Sequence, residues 1–339
     1  MKKSLFLLGV AVAALTSCTN NEVMEVAENR AIGFSSFVGN TTKAVTELNK
    51  DNLKKFFVFG NYGTGTWTPV YTNVAVNGGN VGDNSEWTPE LTAYWQTSQA
   101  YRFAAYSDGG NKFANASFAP ETQALTLTGY TVGNNDLIAA IPAEITSNAD
   151  ATKNEDVNLS FYHMLSRVKF TFTNTDSYDY TMAISNIKVN AIKTATGKYT
   201  YNVSGNTIDW TESTSIGDYN FGTLSDIAQA VNPDGSTHSV ELFVIPQSNA
   251  ALEVTFDAVF SDGAGEITRG TFKGSLSYTG TGSSATTAWV PGYMYNYTVE
   301  INGSTIDPSL NQKIIKFNVD AVEGWKDDGN QTVTPSKQS

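Results

Sequence analysis

Cysteine occurs once in this 339-residue chain, at Cys18, and histidine twice, at His163 and His238. A single cysteine excludes an internal disulfide, so packing has to supply the stability. With so few thiols and imidazoles, a His/Cys zinc set cannot be assembled without carboxylates. Charged residues make up only 16%, and the imbalance is acidic, with a formal net charge of −12 and no basic cluster. That argues against nucleic acid as a partner. No H-E-x-x-H, nucleophile elbow, P-loop or dinucleotide fingerprint is present. Helical periodicity is nearly absent. After the first 17 residues no stretch approaches the ~20 apolar residues of a membrane helix. What the chain has is 12% aromatics and 28 glycines, among many threonines. This is a β-protein composition, too aromatic for disorder.

The start of the chain differs from the rest. Lys2 and Lys3 precede an apolar core, Leu5 to Leu15, too short to span a bilayer as a stable helix. Leu15-Thr16-Ser17-Cys18 then puts an aliphatic residue and two small residues before the cysteine, as in a bacterial lipobox. Residues 1–17 are thus predicted to be a lipoprotein signal peptide. Cys18 would carry a covalent lipid such as palmitate and become the first residue of the mature chain. No other cofactor and no metal is expected. The 322 residues that remain suit two domains of ordinary size. Loss of Lys2 and Lys3 takes the charge to −14.

Along the chain the signal is short alternating or apolar runs between turn residues. Phe56-Phe57-Val58-Phe59, Tyr101 to Tyr106, Leu125 to Leu127, Val168 to Phe172, Leu242 to Ile245, Leu252 to Phe260, Gly270 to Tyr278 and Tyr293 to Ile301 read as strands. In Ile184 to Ile192 the alternation sets Ser185, Ile187, Val189 and Ala191 against Ile184, Asn186, Lys188 and Asn190. Asn232-Pro233-Asp234-Gly235 is a turn signal. The one helical candidate, Glu47 to Lys55, would give one or two turns. Many short strands at such spacing predict an all-β protein of tandem β-sandwiches. The polar stretch Thr146 to Asp156 divides residues 44–156, the N-terminal sandwich, from residues 157–339, the C-terminal one.

Few residues invite a chemical reading. Gly63-Thr64-Gly65 and Gly280-Thr281-Gly282 lack the following helix that would bind phosphate. Asp327-Asp328-Gly329-Asn330 lacks the terminal Glu and the spacing of a calcium loop and reads as an exposed turn. His163 lies in the apolar run Phe161-Tyr162-His163-Met164-Leu165 and reads as a hydrogen-bonded structural histidine. Trp67, Trp87 and Trp95 would stack on sugars if exposed, although core packing is the commoner use of tryptophan. Nothing here supports an enzyme.

Six segments, in order, resemble the fimbrillin family of Bacteroidales pilus lipoproteins. Tyr94-Trp95 through Tyr101-Arg102-Phe103-Ala104-Ala105-Tyr106 is similar to the family's "yW…y-F-AY" stretch. Asp136-Leu137-Ile138-Ala139-Ala140 is similar to its "DLl-A" segment. The most specific is Leu159 to Val168, which matches "L-F-H-lSkv". Val244-Ile245-Pro246-Gln247, Pro291-Gly292-Tyr293-Met294-Tyr295 and Ile315 to Trp325 resemble the "viPQ" turn, the "G-k-Y-Y" strand start and the closing "I-F-v-V-W" segment.

The resemblance implies two transthyretin-like β-sandwich domains in tandem. It also implies an outer-membrane lipoprotein precursor that reaches the cell surface, where a trypsin-like protease cuts just beyond the first strand. Loss of that strand opens a groove, and a strand from a neighbouring pilus subunit, the same chain or another, fills it. The result would be a fimbria serving adhesion to a host or glycan target. Ile32-Gly33-Phe34-Ser35-Ser36-Phe37-Val38 suits the removable strand, with Ile32, Phe34 and Val38 on one face and Phe37 on the other. The cut is expected at Lys43-Ala44, which would remove residues 18–43. The second choice is Arg30-Ala31, which would keep the strand. Ile315, Phe317, Val319 and Ala321, leading to Trp325, form either a donor strand or the closing strand of the second domain. The polar tail Lys326 to Ser339, with Val333 its one strongly apolar residue, would make a poor donor. Stalk, tip and anchor positions remain open at this stage. So does a surface lipoprotein of the same fold that stays tethered and binds a glycan or host ligand.

Overall fold

A computed structural model describes residues 30–38, 48, 52–78, 87–175, 180–211, 215–228, 238–276, 288–301 and 317–324. Cys18, Lys43, Ala44, Ile315 and Trp325 lie outside the described residues, as do Gly280 to Gly282, Asn232 to Gly235 and Asp327 to Asn330. The described chain is nearly all β.

In chain order the first strands are β1 (Phe34–Val38), β2 (Lys55–Thr64), β3 (Thr66–Asn77), β4 (Thr88–Pro89) and β5 (Ala100–Asp108). Next come β6 (Ala116–Ala119), β7 (Ala124–Thr131), β8 (Leu137–Ala140), β9 (Ile145–Thr146) and, after a 3-10 turn at Ala151–Lys153, β10 (Val157–His163). The middle of the chain supplies β11 (Ser166–Asn174), β12 (Thr181–Ile192), β13 (Thr194–Thr200), β14 (Thr207–Thr211) and β15 (Ile216–Ile227). The last are β16 (His238–Val244), β17 (Glu253–Asp262), β18 (Gly265–Ser275), β19 (Tyr293–Ile301) and β20 (Phe317–Gly324). The expected helix over Glu47 to Lys55 does not form at its described residues. Leu48 and Asn52 to Lys54 are not helical, and Lys55 opens β2.

One sheet runs β1-β10-β8-β5-β2-β3-β4, with β9 added on β5. Three four-stranded sheets follow the orders β16-β11-β19-β20, β15-β12-β17-β18 and β14-β13-β7-β6. Pairing crosses the division expected after residue 156. β10 begins at Val157 yet pairs with β8 and β1, and β13 pairs with β7. The polar stretch before β10 is a surface connection inside the first sheet.

The unbroken apolar run of β2 has a simple cause. Phe57 and Phe59 point into a large core shared with Val168, Phe170, Ile187 and Tyr297. Phe56 and Val58 point the other way, into a second core with Ile32, Phe34, Trp95 and Phe103. A strand covered on both faces needs apolar residues at every position. β12 shows the opposite deviation. Ile187, Val189 and Ala191 are buried as their alternation predicts, but Ile184 is buried too. A bulge between Ile184 and Ile187, with Asn186 at φ 53°, shifts the register and turns the earlier residues to the core.

The family-like motifs turn out to be fold-holding. His163 Nδ1 lies 2.6 Å from the buried Asp136 Oδ2, so the histidine is the hydrogen-bonded structural residue its context suggested. Leu159 and Phe161 serve the second core while Met164, Leu165 and Val168 serve the first, so this motif carries the chain between them. Gln247 Nε2 donates to Ile192 O, and Ile192 N donates back to Gln247 Oε1.

Arg167, 2% exposed, makes a two-pronged pair with Glu241 on the neighbouring strand, at 2.9 and 2.8 Å. A buried charge without its partner is strongly destabilising, by about 3–5 kcal/mol. Glu241→Ala should therefore lower unfolding free energy in urea by about that much. Exchanging both residues for methionine and leucine should lower it far less.

Candidate functional site

The residues before and within β1 are held from two sides. On one side β1 runs parallel to β10, in register from Phe34 opposite Val157 to Val38 opposite Phe161. Val157 N donates to Gly33 O at 2.8 Å. On the other side Ile32 N donates to Ala93 O at 2.9 Å and Trp95 N donates to Arg30 O at 3.3 Å. Ala31 is bridged to Tyr94 and Phe34 to Trp87, both antiparallel. Trp87 adjoins β4, the far end of the sheet whose near end is β1. Residues 30–38 thus join the two ends of one sheet, and taking them away would leave a groove with two unsatisfied backbone lips.

The groove floor is apolar and aromatic. Ile32 and Phe34 are 1% and 3% exposed. The Phe34 ring meets Phe56 at 5.9 Å and Phe103 at 6.1 Å edge-on, and Tyr71 at 5.7 Å. Burial pushes the Tyr71 phenol up to about 12. Ser35 is exposed and Ser36 half-buried, the alternation expected of a strand with one face inward. Phe37 and Val38 are placed by register opposite Ser160 and Phe161. At the start of the strand Arg30 donates to Asp156 Oδ1 at 2.9 Å, and also to Asn154 O.

The chain beyond the groove is fastened by Leu48, which is buried and whose N–H donates to Asp136 Oδ2 at 3.2 Å. Asp136 therefore ties together Leu48, β8 and His163. Nearby in the fold, burial raises the Asp108 carboxyl to about 6 from an ordinary 3.8, with the Asp136 charge pushing the same way.

The other expected site residues separate. Phe317, Val319 and Ala321 sit on β20, antiparallel to β19 opposite Val299, Tyr297 and Asn296. That is the closing position of the two alternatives. The tryptophans do not form a sugar-stacking face. Trp95 is 1% exposed against Tyr101, Trp87 packs on Phe56 at 4.9 Å, and Arg102 lies over Trp67 at 4.5 Å. The roles of Asp156 and Asn154 were hidden in sequence, because their partner Arg30 is more than 120 positions away. Among the described residues no group of three or more His, Cys, Asp or Glu is placed to hold a metal. No described helix is long and apolar enough to cross a membrane.

A family model described as fimbrillin-like matches residues 42–325. A fimbrial protein from Bacteroides vulgatus has a similar fold, with 14% identity over 88% of this chain and 100% of that one, at a TM-score of 0.54. The fimbrial anchor protein Mfa2 from Porphyromonas gingivalis aligns at 10% identity over 80% of this chain and 91% of its own, at a TM-score of 0.35. No curated protein matches the chain in sequence.

Truncating the central anchor tests the groove. Phe34→Ala should destabilise the chain by about 3–5 kcal/mol in urea unfolding. Ser35→Ala on the exposed side should change it by less than about 0.5 kcal/mol. The raised Asp108 carboxyl gives a pH signature. The folded state holds this proton more tightly than the unfolded chain, so the contribution favours folding at and below 3.8 and is lost as pH rises through about 6. Asp108→Asn should raise the melting temperature at pH 7 and flatten its fall between those two values.

Proposed function

The chain belongs to the fimbrillin-like family, a family of structural proteins and not enzymes, and we propose that it is a pilus subunit assembled by replacement of its first strand. In this reading the precursor is a lipoprotein, carried to the outer membrane by a lipid on Cys18. A protease cuts after Lys43, the leader leaves with its lipid, and an extended segment of another subunit takes the groove. The released subunit then stands in a surface fimbria that serves adhesion.

The observation that carries this is the two-sided seat of residues 30–38. A strand bonded on both flanks and anchored by Ile32 and Phe34 leaves behind a site complete in backbone donors, acceptors and apolar pockets. Such a site suits one occupant, another strand. Its integrity until cleavage would keep the precursor monomeric during export.

The points at which the chain is fastened support a cut after Lys43. Val38 ends β1, and Leu48 is the next described residue, already fixed on Asp136. Lys43 is the one basic residue in the segment 39–47 between them. A cut there frees the strand without touching the body. The Arg30-Ala31 bond suits a protease less well. Its carbonyl accepts from Trp95, its side chain is held by Asp156, and Ala31 is bridged to Tyr94. Proteolysis needs a segment that can leave the fold. The pairing of β20 with β19 supports a subunit that receives a strand more than one that donates that segment.

A second reading, an anchor that keeps its lipid and first strand, is favoured by one fact: the seat is well made and fully occupied. N-terminal sequencing of sheared surface material separates the two. Assembly predicts a start at Ala44 in a high-mass, denaturant-resistant ladder, and Lys43→Ala abolishes that ladder while Arg30→Ala does not. A lipidated Cys18 on a monomer would refute assembly and support the anchor.

A further inference from the structure

One carboxylate reads two positions of the strand in the groove. Asp156 Oδ1 accepts from Arg30 Nη2 at 2.9 Å. The same carboxylate fills the space beside Gly33. A Cβ at Gly33 would stand 2.4 Å from Oδ1 and 2.8 Å from Cγ, closer than non-bonded atoms approach. A side chain at this position fits only if the Asp156 carboxylate shifts, and that shift competes with its hold on the cation at position 30. The cation's second hold, Asn154 O, belongs to the same wall. A cavity of about 440 Å³ beside it is bounded by Trp95, Glu144, Lys153, Asn154, Glu155 and Asp156, with Glu144 already paired to Arg102. Ile32 and Phe34 fill the aliphatic and aromatic pockets on either side of the glycine.

We propose that Asp156 determines which strand this groove accepts, and that the occupant is an extended segment of a different subunit with the pattern basic–any–aliphatic–glycine–aromatic. The proposal rests on the reading that the first strand is replaced, and it names the partner. The pattern occurs once in this chain, at Arg30-Ala31-Ile32-Gly33-Phe34. The chain's own C-terminal segment comes one residue short of it. Lys313-Ile314-Ile315-Lys316-Phe317 supplies the cation, the aliphatic and the aromatic, but sets Lys316 where the glycine belongs. A second identical copy is therefore a poor donor on two counts, because that segment also continues into β20. The groove selects a heterologous neighbour.

Synthetic peptides on the intact folded chain test this. The recognition sequence of a site-specific protease is inserted after Lys43, the folded chain is cut, and a fluorescent peptide of residues 30–38 is exchanged into the groove. Unlabelled peptides then compete, one of residues 313–321 and one of the same sequence with Lys316→Gly. The glycine version should compete about threefold better, the loss expected when one half-exposed ion pair is given up. In the Asp156→Gly chain the two should compete alike. Equal competition in the unaltered chain, or a preference that persists undiminished in Asp156→Gly, overturns the selectivity while leaving strand replacement standing. Failure of the 30–38 peptide itself to enter the cut chain overturns both.

Discussion

The first sheet depends on a strand that touches both of its ends. Without residues 30–38, β10 has no partner on one side and the segment around Trp87 and Tyr94 loses its bridges. A sheet joined end to end has no free edge at the join, and a free edge is the feature through which β-proteins associate. In the proposed assembly the same few residues would decide whether this chain is a closed monomer or an open acceptor. The second core follows from this, because Phe56, Tyr71 and Phe103 converge on the Phe34 ring and not on one another alone. The sheets that carry β11 to β20 pack instead on the other core, which they share with Phe57 and Phe59 of β2 and Ala104 and Tyr106 of β5.

Much of the fold could be read from residue order, because a half-buried strand imprints a period of two. Val168 to Phe172 and Tyr293 to Ile301 became β11 and β19 with their apolar residues inward. Period two failed where the backbone broke it. In β12 the bulge at Asn186 adds a residue to one strand, so Ile184 lies inside although simple alternation puts it outside. Pairing across distance was not legible at all. β10 looks like the opening of a second unit, yet its partners are β1 and β8, the first more than 100 residues earlier. At the described residues of Glu47 to Lys55 the helical pattern lost to tertiary context, since Lys55 is drawn into β2 and Leu48 is tied to Asp136.

The removable strand was legible as a strand, and Ile32 and Phe34 as its inward face. What contacts it was not, because the groove is built from Trp87 to Trp95, Asn154 to Asp156 and the β2 and β5 aromatics, which no local pattern links. The motif resemblances illustrate the same limit. They mark residues such as His163 and Gln247 that fasten the scaffold. The residue that discriminates among strands, Asp156, lies in a polar stretch with no pattern of its own. Gly33 gave the only local signal, a residue without a side chain inside a strand, which marks a close approach by something else.

A strand bonded on both sides is firmly held, and its proposed replacement needs a physical cause. The tether resolves this. While residues 39–47 connect strand and body, the strand is present at an effective concentration of order millimolar whatever the amount of protein. One cut in that segment turns an intramolecular contact into a bimolecular one. At about micromolar concentration the ratio of bound to free strand then falls by a factor of about a thousand, equivalent to about 4 kcal/mol. No contact in the groove has to weaken for this to happen. Cleavage need not unfold anything. It removes the advantage of connection, and in the proposed assembly a strand delivered by a neighbouring subunit would take that advantage over.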